Sequence, residues 1–291
     1  MFFGQFDLAA IGFLQSFSSP ALDLLFRAIS FMGNPIAWVF IASLIYWSGR
    51  ERKGIFLLNL VLLASAAVAM LKVFFAVPRP SGNVRIIEES SILKAFSYDP
   101  VNYSFPSGHA TMAASASFYF RKNLKGIMFA ALLIFPFAVA LSRMYLGKHF
   151  LSDVIAGIVL GVALGILNER LSARFERLEF GLGKISSEII VAFALILAIV
   201  AIAFAEVPSV AIAVIGFYAG FFVSRILKVN QEKLGGKRLL AKLLAGTAGL
   251  AAFGIAALLM PSLLAIISLL AGIWISLGMP YFYDKFCKKL K

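Results

Sequence analysis

The sequence has 291 residues, of which 61% are hydrophobic and 14% are charged, and its mean hydropathy is +0.93. This composition excludes an ordinary soluble domain, and several apolar runs are long enough to cross a hydrocarbon core of about 30 Å. The net charge of +13 could indicate a nucleic-acid partner, but the basic residues lie in short loops between apolar runs. That arrangement favours a membrane protein that binds no nucleic acid.

Residues 1–34 form an apolar segment that nevertheless carries Asp7 and Asp23. Charged side chains are costly inside a bilayer, so a simple transmembrane helix fits this segment poorly. We expect a pair of interfacial or re-entrant helices that ends at Pro35. One kinked span is the alternative.

Nine apolar segments follow, each with the length and composition of a candidate transmembrane helix. They lie at 35–49, 54–77, 107–121, 125–145, 150–168, 189–206, 208–228, 238–259 and 262–283. Because backbone groups in lipid must bond within their own segment, we predict an all-α polytopic membrane protein built as a helical bundle. Residues 35–168 would form its core, 169–188 a charged amphipathic linker on the cytoplasmic side, and 189–291 an extension of four further helices.

Threading the chain through these nine spans divides its basic residues unequally between the two membrane faces. The face with the loops near 50–53, 121–125, 169–188 and 229–238 carries all but seven of the 27 Lys and Arg residues. The other seven are Arg27, Lys72, Arg79, Arg85, Lys94, Arg143 and Lys148. Cytoplasmic loops attract Lys and Arg, so the basic face is predicted to be cytoplasmic. Three polar clusters all fall on the opposite face.

The first polar cluster is Lys72-x6-Arg79-Pro80, at the end of an apolar helix. A seven-residue separation returns Lys72 and Arg79 to nearly the same helix face. Arg143 adds a third cation on that side of the membrane, and three converging cations suit a dianionic phosphate. The alternative, cations that only anchor the helices by snorkelling, is disfavoured because this is not the basic face.

The second cluster is Pro106-Ser107-Gly108-His109, at the start of a helix. Proline is favoured in a first helical turn, serine can cap the helix, and glycine lets an oxyanion approach the free N–H groups. The pattern predicts an anion site at the backbone of Ser107 and Gly108, with His109 beside it. A purely structural histidine is the plainer alternative.

The third cluster is Ser142-Arg143-x5-His149-x3-Asp153. His149 and Asp153 are four residues apart and therefore share one helix face. Asp153 can accept the Nδ1–H of His149, which fixes the tautomer and leaves Nε2 as a nucleophile or base. The alternative is a buried ion pair that only joins two helices, and the flanking Arg143 argues against it.

The loop 81–105 connects the first two clusters on the face that carries them. Its apolar side chains could lay it along the membrane interface as a roof over the site. A plain connector is an equal alternative.

Together the clusters predict phosphoryl transfer with a histidine nucleophile. His149, aimed by Asp153, would attack phosphorus, and His109 would protonate the leaving oxygen and then activate water. The groups that would neutralise the equatorial oxygens are Lys72, Arg79, Arg143 and the N–H groups of Ser107 and Gly108. We predict no metal and no cofactor, because free carboxylates are sparse on this face and both histidines already have roles.

The three clusters, in this order and at this spacing, resemble the signature motifs of the type-2 phosphatidic acid phosphatase superfamily, with no departure at a signature position. The resemblance covers residues 35–168. It implies a metal-independent membrane phosphatase for lipid phosphates or isoprenyl diphosphates, with the roles given above. Members of the superfamily include undecaprenyl-diphosphatases and glucose-6-phosphatases.

We therefore expect an integral, multi-pass membrane protein with its active site outside a prokaryotic cell, or in the lumen of the endoplasmic reticulum of a eukaryote. Its expected partners are a lipid phosphate substrate and the bilayer, with homo-oligomerisation left open. Two other functions also stay open. One is a sugar-phosphate phosphatase of the glucose-6-phosphatase type, which nine spans would match. The other is a non-catalytic lipid transporter or scaffold, which the intact motifs disfavour.

Overall fold

The computed structural model describes residues 5–82, 84–88, 102–182, 208–229 and 234–287, together with Ile196 and Ile199. Within these ranges most of the chain is α-helical, as the composition predicts. The helices in chain order are α1 (Gln5–Gln15), α2 (Pro20–Phe31), α3 (Pro35–Trp47), α4 (Glu51–Phe75), α5 (Gly108–Phe120), α6 (Gly126–Tyr145), α7 (Leu151–Leu182), α8 (Pro208–Ile226), α9 (Gly236–Leu259) and α10 (Pro261–Lys285).

A sharp bend separates α2 from α3. The Oδ1 of Asn34 accepts the N–H of Ile36 at 2.9 Å, and Pro35 takes the first helical position, so α3 begins where the sequence predicts. The Met32 carbonyl accepts the Nε1–H of Trp38 at 2.8 Å, which ties the end of α2 to α3. The two helices meet at 54°, as a broken span or a re-entrant pair would.

Six described helices are long and apolar enough to cross a membrane, and the bent α2–α3 pair would make a seventh. Six of the nine predicted spans correspond to α4 and α6–α10. The predicted span at 35–49 is α3, which qualifies only together with α2. The predicted span at 107–121 is α5, whose 13 residues cover only about 20 Å and cannot cross alone. The predicted span at 189–206 lies almost entirely outside the described residues.

The short helix α5 lies inside the bundle, with residues 110–117 all buried. It packs against three glycines of α7 that recur every four residues, a spacing that lets two helices approach closely. These glycines are Gly157, Gly161 and Gly165. A Cβ on Gly157 would lie 2.7 Å from the Ser107 carbonyl oxygen, and one on Gly161 would overlap the Thr111 carbonyl. The glycines therefore allow α5 to pack closely on α7.

Side-chain contacts define two opposite ends of the bundle. At the end we call the basic end, the Tyr119 hydroxyl donates to the Lys53 carbonyl at 2.7 Å, and Lys53 Nζ donates to Asn123 Oδ1 at 3.3 Å. Arg225, at the end of α8, binds Glu51, at the start of α4, at 3.1 Å. Because α4 and α6 begin at the basic end, they finish at the opposite end, where α5 and α7 begin. We call that opposite end the site end.

The predicted linker at 169–188 begins as a helix. α7 runs without interruption to Leu182, because residues 166–180 contain neither Gly nor Pro and are rich in helix-forming side chains. The charged first part of the predicted linker is therefore continuous with the helix that starts beside Asp153.

The helices α8–α10 pack against α3 and α4 rather than standing apart from them. The Tyr218 hydroxyl donates to Asn59 Oδ1 at 2.5 Å, and Trp47 Nε1–H donates to the Ile275 carbonyl at 2.8 Å. Both bonds are buried, within one hydrophobic core that the same helices share. α4, which carries the first motif, thus packs both against α5 and α7 and against the C-terminal helix α8.

Candidate active site

The first motif lies at the site end, where α4 finishes. Lys72 is buried in the last turn of α4. Ala76 then ends the helix in the left-handed conformation, with φ of 47°, and its N–H bonds to the Lys72 carbonyl at 2.8 Å. Before the chain reaches Arg79, the Val77 carbonyl accepts the N–H of Ser104 at 2.7 Å. This bond holds the first motif beside the chain that leads into the second.

Asp153 ties the second motif to the third. The Ser107 N–H donates to the Asp153 carbonyl at 3.0 Å, and the Ser104 hydroxyl donates to Asp153 Oδ2. His109 follows, half-buried, in the first turn of α5. Three motifs that are distant in sequence therefore meet at one end of the bundle, as the topology drawn from hydropathy predicts.

Ser107 differs in two details from the sequence prediction. It occupies the N-cap position of α5, but its hydroxyl makes no capping bond, and its N–H is taken by Asp153 rather than left free for an anion. Its carbonyl accepts the N–H and the hydroxyl of Thr111 at 3.0 and 2.9 Å. Within the described part of the chain, the buried Ser107 Oγ has no hydrogen-bond partner. The hydroxyl, not the N–H, is therefore the donor that Ser107 can offer a ligand.

His149 and Asp153 are both buried and face each other, as their four-residue spacing predicts. The Nδ1 of His149 lies 3.5 Å from the Oδ2 of Asp153, which is longer than an ordinary hydrogen bond. The same oxygen accepts the Phe150 N–H at 2.8 Å and the Ser104 hydroxyl. Asp153 is therefore anchored from two sides while it faces the imidazole ring.

Three cations, Arg79, Arg143 and Lys148, lie in or beside the turn between α6 and α7. Arg79 Nη1 donates to the Lys148 carbonyl at 3.2 Å, and the buried Arg143 donates to Ser30 Oγ at 2.7 Å. Burial lowers the pKa of the Lys148 ammonium, and the charges of Arg143 and Arg79 lower it further, against the opposing effect of Glu88, 3.3 Å away. Both guanidinium groups therefore act on one amine, and the site end concentrates positive charge.

The N-terminal helices contribute to the site, a role that the sequence analysis did not predict. Asp7 of α1 is fully buried, and its carboxylate accepts the N–H and the hydroxyl of Ser152 at 2.9 and 3.1 Å. These bonds cap α7 immediately before Asp153. A carboxylate in an apolar run is costly and could have pointed to such a role, but its partner is 145 residues away. Ser30 of α2, the acceptor for Arg143, was also missed.

The bend between α2 and α3 lies directly against His109. A Cβ on Gly33 would lie 3.0 Å from both the Cβ and the carbonyl oxygen of His109, and 2.7 Å from Val139 Cγ1. Any side chain at this position would force Val139 or His109 to shift. The bend is therefore one wall of the site.

Residues 84–88 belong to the long loop between the first and second motifs. Ile87 donates its N–H to the Leu146 carbonyl at 3.1 Å, so this strip is bonded to the turn after α6. Asp23 of α2 pairs with the guanidinium of Arg85 on the same strip. The strip thus lies beside the third motif, and most of the predicted roof falls outside the described residues.

Imidazole, guanidinium and ammonium groups dominate the site, and they suit an anionic ligand. Among the residues that the structure describes, no group of three or more His, Cys, Asp or Glu is arranged to hold a metal ion. The arrangement offers a buried imidazole for nucleophilic or base chemistry beside groups that bind phosphate oxygens.

Comparison with known proteins relates this site to phosphatases. A sequence model of the PAP2 superfamily matches residues 53–177, which contain all three motifs. The chain is 28% identical over 170 residues to a dihydrosphingosine 1-phosphate phosphatase of Schizosaccharomyces pombe, across 53% of this chain and only 39% of that relative. It is 27% identical over 146 residues to an undecaprenyl-diphosphatase of Sulfolobus acidocaldarius, across 50% of this chain and 68% of the relative. The crystal structure of Aquifex aeolicus LpxE aligns with 25% identity and a TM-score of 0.47, over 56% of this chain and 94% of that one.

Proposed function

We propose that this chain, whose residues 53–177 match the PAP2 superfamily, is a membrane phosphatase for lipid phosphate monoesters or isoprenyl diphosphates. The proposal is carried by the meeting of His149, Asp153, Arg79 and Arg143 at one end of the helix bundle. The cations complement the negative charge of a phosphate, and the buried imidazole beside them can act as the nucleophile that attacks it. The phosphorylated lipids in the names of two relatives support an amphiphilic substrate.

The first chemical step forms a bond between His149 Nε2 and phosphorus while the bond from phosphorus to the lipid oxygen breaks. His109, in its protonated form, gives its proton to that oxygen. A monoester therefore leaves as an alcohol, and a diphosphate leaves as a monophosphate. Asp153, 3.5 Å from Nδ1, stabilises the positive charge that the ring of His149 acquires in the phosphohistidine intermediate.

The second step returns the enzyme to its starting state. His109, now neutral, takes a proton from a water molecule whose oxygen attacks phosphorus, and the bond from phosphorus to Nε2 of His149 breaks. Inorganic phosphate leaves, and His109 again carries the proton it needs for the next turnover.

The negative charge on the transferring phosphoryl group is neutralised by the cations and by the start of α5. The three cations assigned to this role are Lys72, Arg79 and Arg143. Ser107 contributes its hydroxyl, because its N–H is bonded to Asp153, and Gly108 contributes its N–H at the helix N-terminus. Each group acts most strongly as charge develops on the equatorial oxygens.

The distribution of charge supports a site on the extracytoplasmic side of the membrane. The described basic loops lie at the opposite end of the bundle, where Lys53 bonds to Asn123. Cytoplasmic loops attract Lys and Arg, so the basic end faces the cytoplasm and the site end faces outward. A lipid substrate would reach the site from the outer leaflet.

Phosphate release from a substrate panel tests the proposal. The protein, purified in detergent with EDTA, is given phosphatidate, a prenyl diphosphate, a sphingoid phosphate and glucose 6-phosphate. We expect vanadate-sensitive release from at least one lipid and not from the sugar. Turnover of glucose 6-phosphate alone would favour the sugar phosphatase, and no release from any member of the panel would contradict the proposed activity.

Replacement of the nucleophile tests the mechanism. His149→Ala removes the group that forms the intermediate, so we expect a loss in kcat of at least about 10⁴-fold, as when other enzymes lose their nucleophile. Lys125→Ala, an exposed change at the basic end, is the control and should keep full activity. Retained activity in purified His149→Ala protein would rule out the phosphohistidine route.

A further inference from the structure

A cavity of about 630 Å³ lies between α3 and the C-terminal helices α8, α9 and α10. Among the residues that line it, only Ser209, Thr247 and Ser268 have polar side chains, and the others are apolar or glycine. Its volume falls within the range of about 300–1,000 Å³ that is typical of small-molecule sites. A space of this size and character suits an extended hydrocarbon group rather than a polar ligand.

The cavity lies in the half of the bundle nearest the site end. Ser209 lines it from the first turn of α8, a helix whose other end binds Glu51 at the basic end. Ala257 lines it from the last turns of α9, and Ile267 from the first turns of α10. Thr247 lines it from the middle of α9. The cavity therefore extends from the site end towards the middle of the bundle.

The bend between α2 and α3 separates the cavity from the active site and touches both. Met32 lines the cavity. Its neighbours face the site, because Ser30 accepts a hydrogen bond from Arg143 at 2.7 Å and Gly33 packs against His109. Within four residues of the chain, Ser30, Met32 and Gly33 therefore contact Arg143, the apolar cavity and His109, respectively.

We infer that this cavity receives the hydrocarbon chain of the phosphate substrate, an inference that rests on the proposed function. A lipid with its phosphate at His149 carries its chain towards the bilayer centre, at the depth of the cavity. The walls are no more apolar than the bilayer, so the cavity offers shape rather than hydrophobic transfer energy. A seated chain fixes the headgroup, which keeps phosphorus in line with His149. The C-terminal helices, outside the matched region at 53–177, would thereby select the substrate chain.

Gly254 provides a clean way to fill the cavity. It lines the cavity from α9, and a Cβ added there meets no heavy atom within 4 Å. Gly254→Phe therefore begins its side chain in open space at the cavity wall, and it removes a glycine from a helix interior, which favours folding. Ala252→Phe is the matched control, because Ala252 is exposed on the same helix and does not line the cavity.

Hydrolysis rates are measured on one headgroup with chains of increasing length, and on water-soluble para-nitrophenyl phosphate. We expect Gly254→Phe to lower kcat/KM at least about tenfold on long chains, since even a small misplacement of a reacting group costs up to about a hundredfold. Para-nitrophenyl phosphate and the Ala252→Phe protein should show wild-type rates. An unchanged chain-length profile in Gly254→Phe, or equal losses in both variants, would overturn the inference.

Photolabelling gives a readout that does not depend on turnover. A long-chain alkyl phosphate with a diazirine near the end of its chain is bound to wild-type protein in vesicles of phosphatidylcholine and crosslinked. We expect label on the α9 peptide around Gly254, displaced by unlabelled alkyl phosphate and absent in Gly254→Phe. Label that added phosphatidylcholine displaces equally well would show that an ordinary bilayer lipid occupies the cavity. If wild-type protein binds the probe but hydrolyses no phosphate, the proposed function fails while the cavity assignment stands.

Discussion

Two buried carboxylates lie at the start of α7, and their partners give them different roles. Asp153 faces the imidazole of His149 at 3.5 Å. Asp7 instead accepts the N–H and hydroxyl of Ser152, so it completes the hydrogen bonding of the helix start. Negative charge is also favoured at this position by the helix dipole. Asp7 therefore acts on the site through the backbone that carries Asp153, not through the substrate.

Removal of this cap should weaken both stability and catalysis. Asp7→Leu leaves the N–H and hydroxyl of Ser152 buried without their acceptor, at a cost of about 1–3 kcal/mol. Because the freed helix start carries Asp153, we also expect a lower kcat with a smaller change in KM. Thermal unfolding in detergent and steady-state kinetics on the best substrate measure the two effects.

The smaller change Ser152→Ala separates the two bonds that Asp7 accepts. It removes the hydroxyl donor and keeps the backbone N–H bond at 2.9 Å. We expect about half of the stability loss, or less, on the scale of one net hydrogen bond of about 1 kcal/mol. If Asp7→Leu unfolds and turns over like the wild-type protein, Asp7 has no positioning role.

At the scale of elements, the contact between α5 and α7 sets the distance from His109 to the third motif. α5 has 13 residues and is buried by protein, so it does not have to match the thickness of the bilayer. Its position depends instead on the glycines of α7, above all Gly161, which faces the Thr111 carbonyl. Backbone rather than a flexible side chain occupies the space next to Gly161, so the neighbouring helix has little freedom to adjust.

A single methyl group at this contact should disturb the site. Gly161→Ala forces α5 away from α7, and we expect a loss of about 1–3 kcal/mol in stability, the usual cost of overpacking. Activity should fall with it, because α5 carries His109. Unfolding in detergent and phosphate release are the measurements.

The same substitution at Gly254 controls for the change of residue type. A Cβ at Gly254 meets no heavy atom within 4 Å, so Gly254→Ala should be neutral or stabilising by up to about 1 kcal/mol through helix propensity. If Gly161→Ala proves as harmless as Gly254→Ala, the close contact does not determine the position of α5.

At the scale of the whole molecule, the sequence predicts features that depend on neighbouring residues better than contacts between residues far apart in the chain. Hydropathy and proline positions predicted six of the spanning helices and the start of α3, because both depend on neighbours along the chain. The four-residue spacing placed Asp153 opposite His149. By contrast, the bond from Asp7 to Ser152 joins residues 145 positions apart, and no periodicity encodes such a pairing. The cavity beside α3 likewise exists only once α8–α10 have packed.

Most basic residues of the chain are predicted to lie at one end of the bundle, and this asymmetry predicts its orientation. Ser81, exposed just after the first motif, lies at the site end, and Lys125, exposed before α6, lies at the basic end. By the positive-inside rule the basic end should face the cytoplasm. Single cysteines at these two positions, in a Cys287→Ser background that leaves no other thiol, therefore report the two membrane faces.

Intact cells are treated with a membrane-impermeant maleimide before and after permeabilisation. We expect Ser81→Cys to react in both cases and Lys125→Cys only after permeabilisation. The cysteine-free Cys287→Ser protein gives the background, and phosphate release from both variants confirms that they are folded. The reverse pattern would place the site at the cytoplasmic face. The substrate would then come from the inner leaflet. The packing of α8–α10 on α4 would then have to hold the basic loops outside, against the usual charge bias.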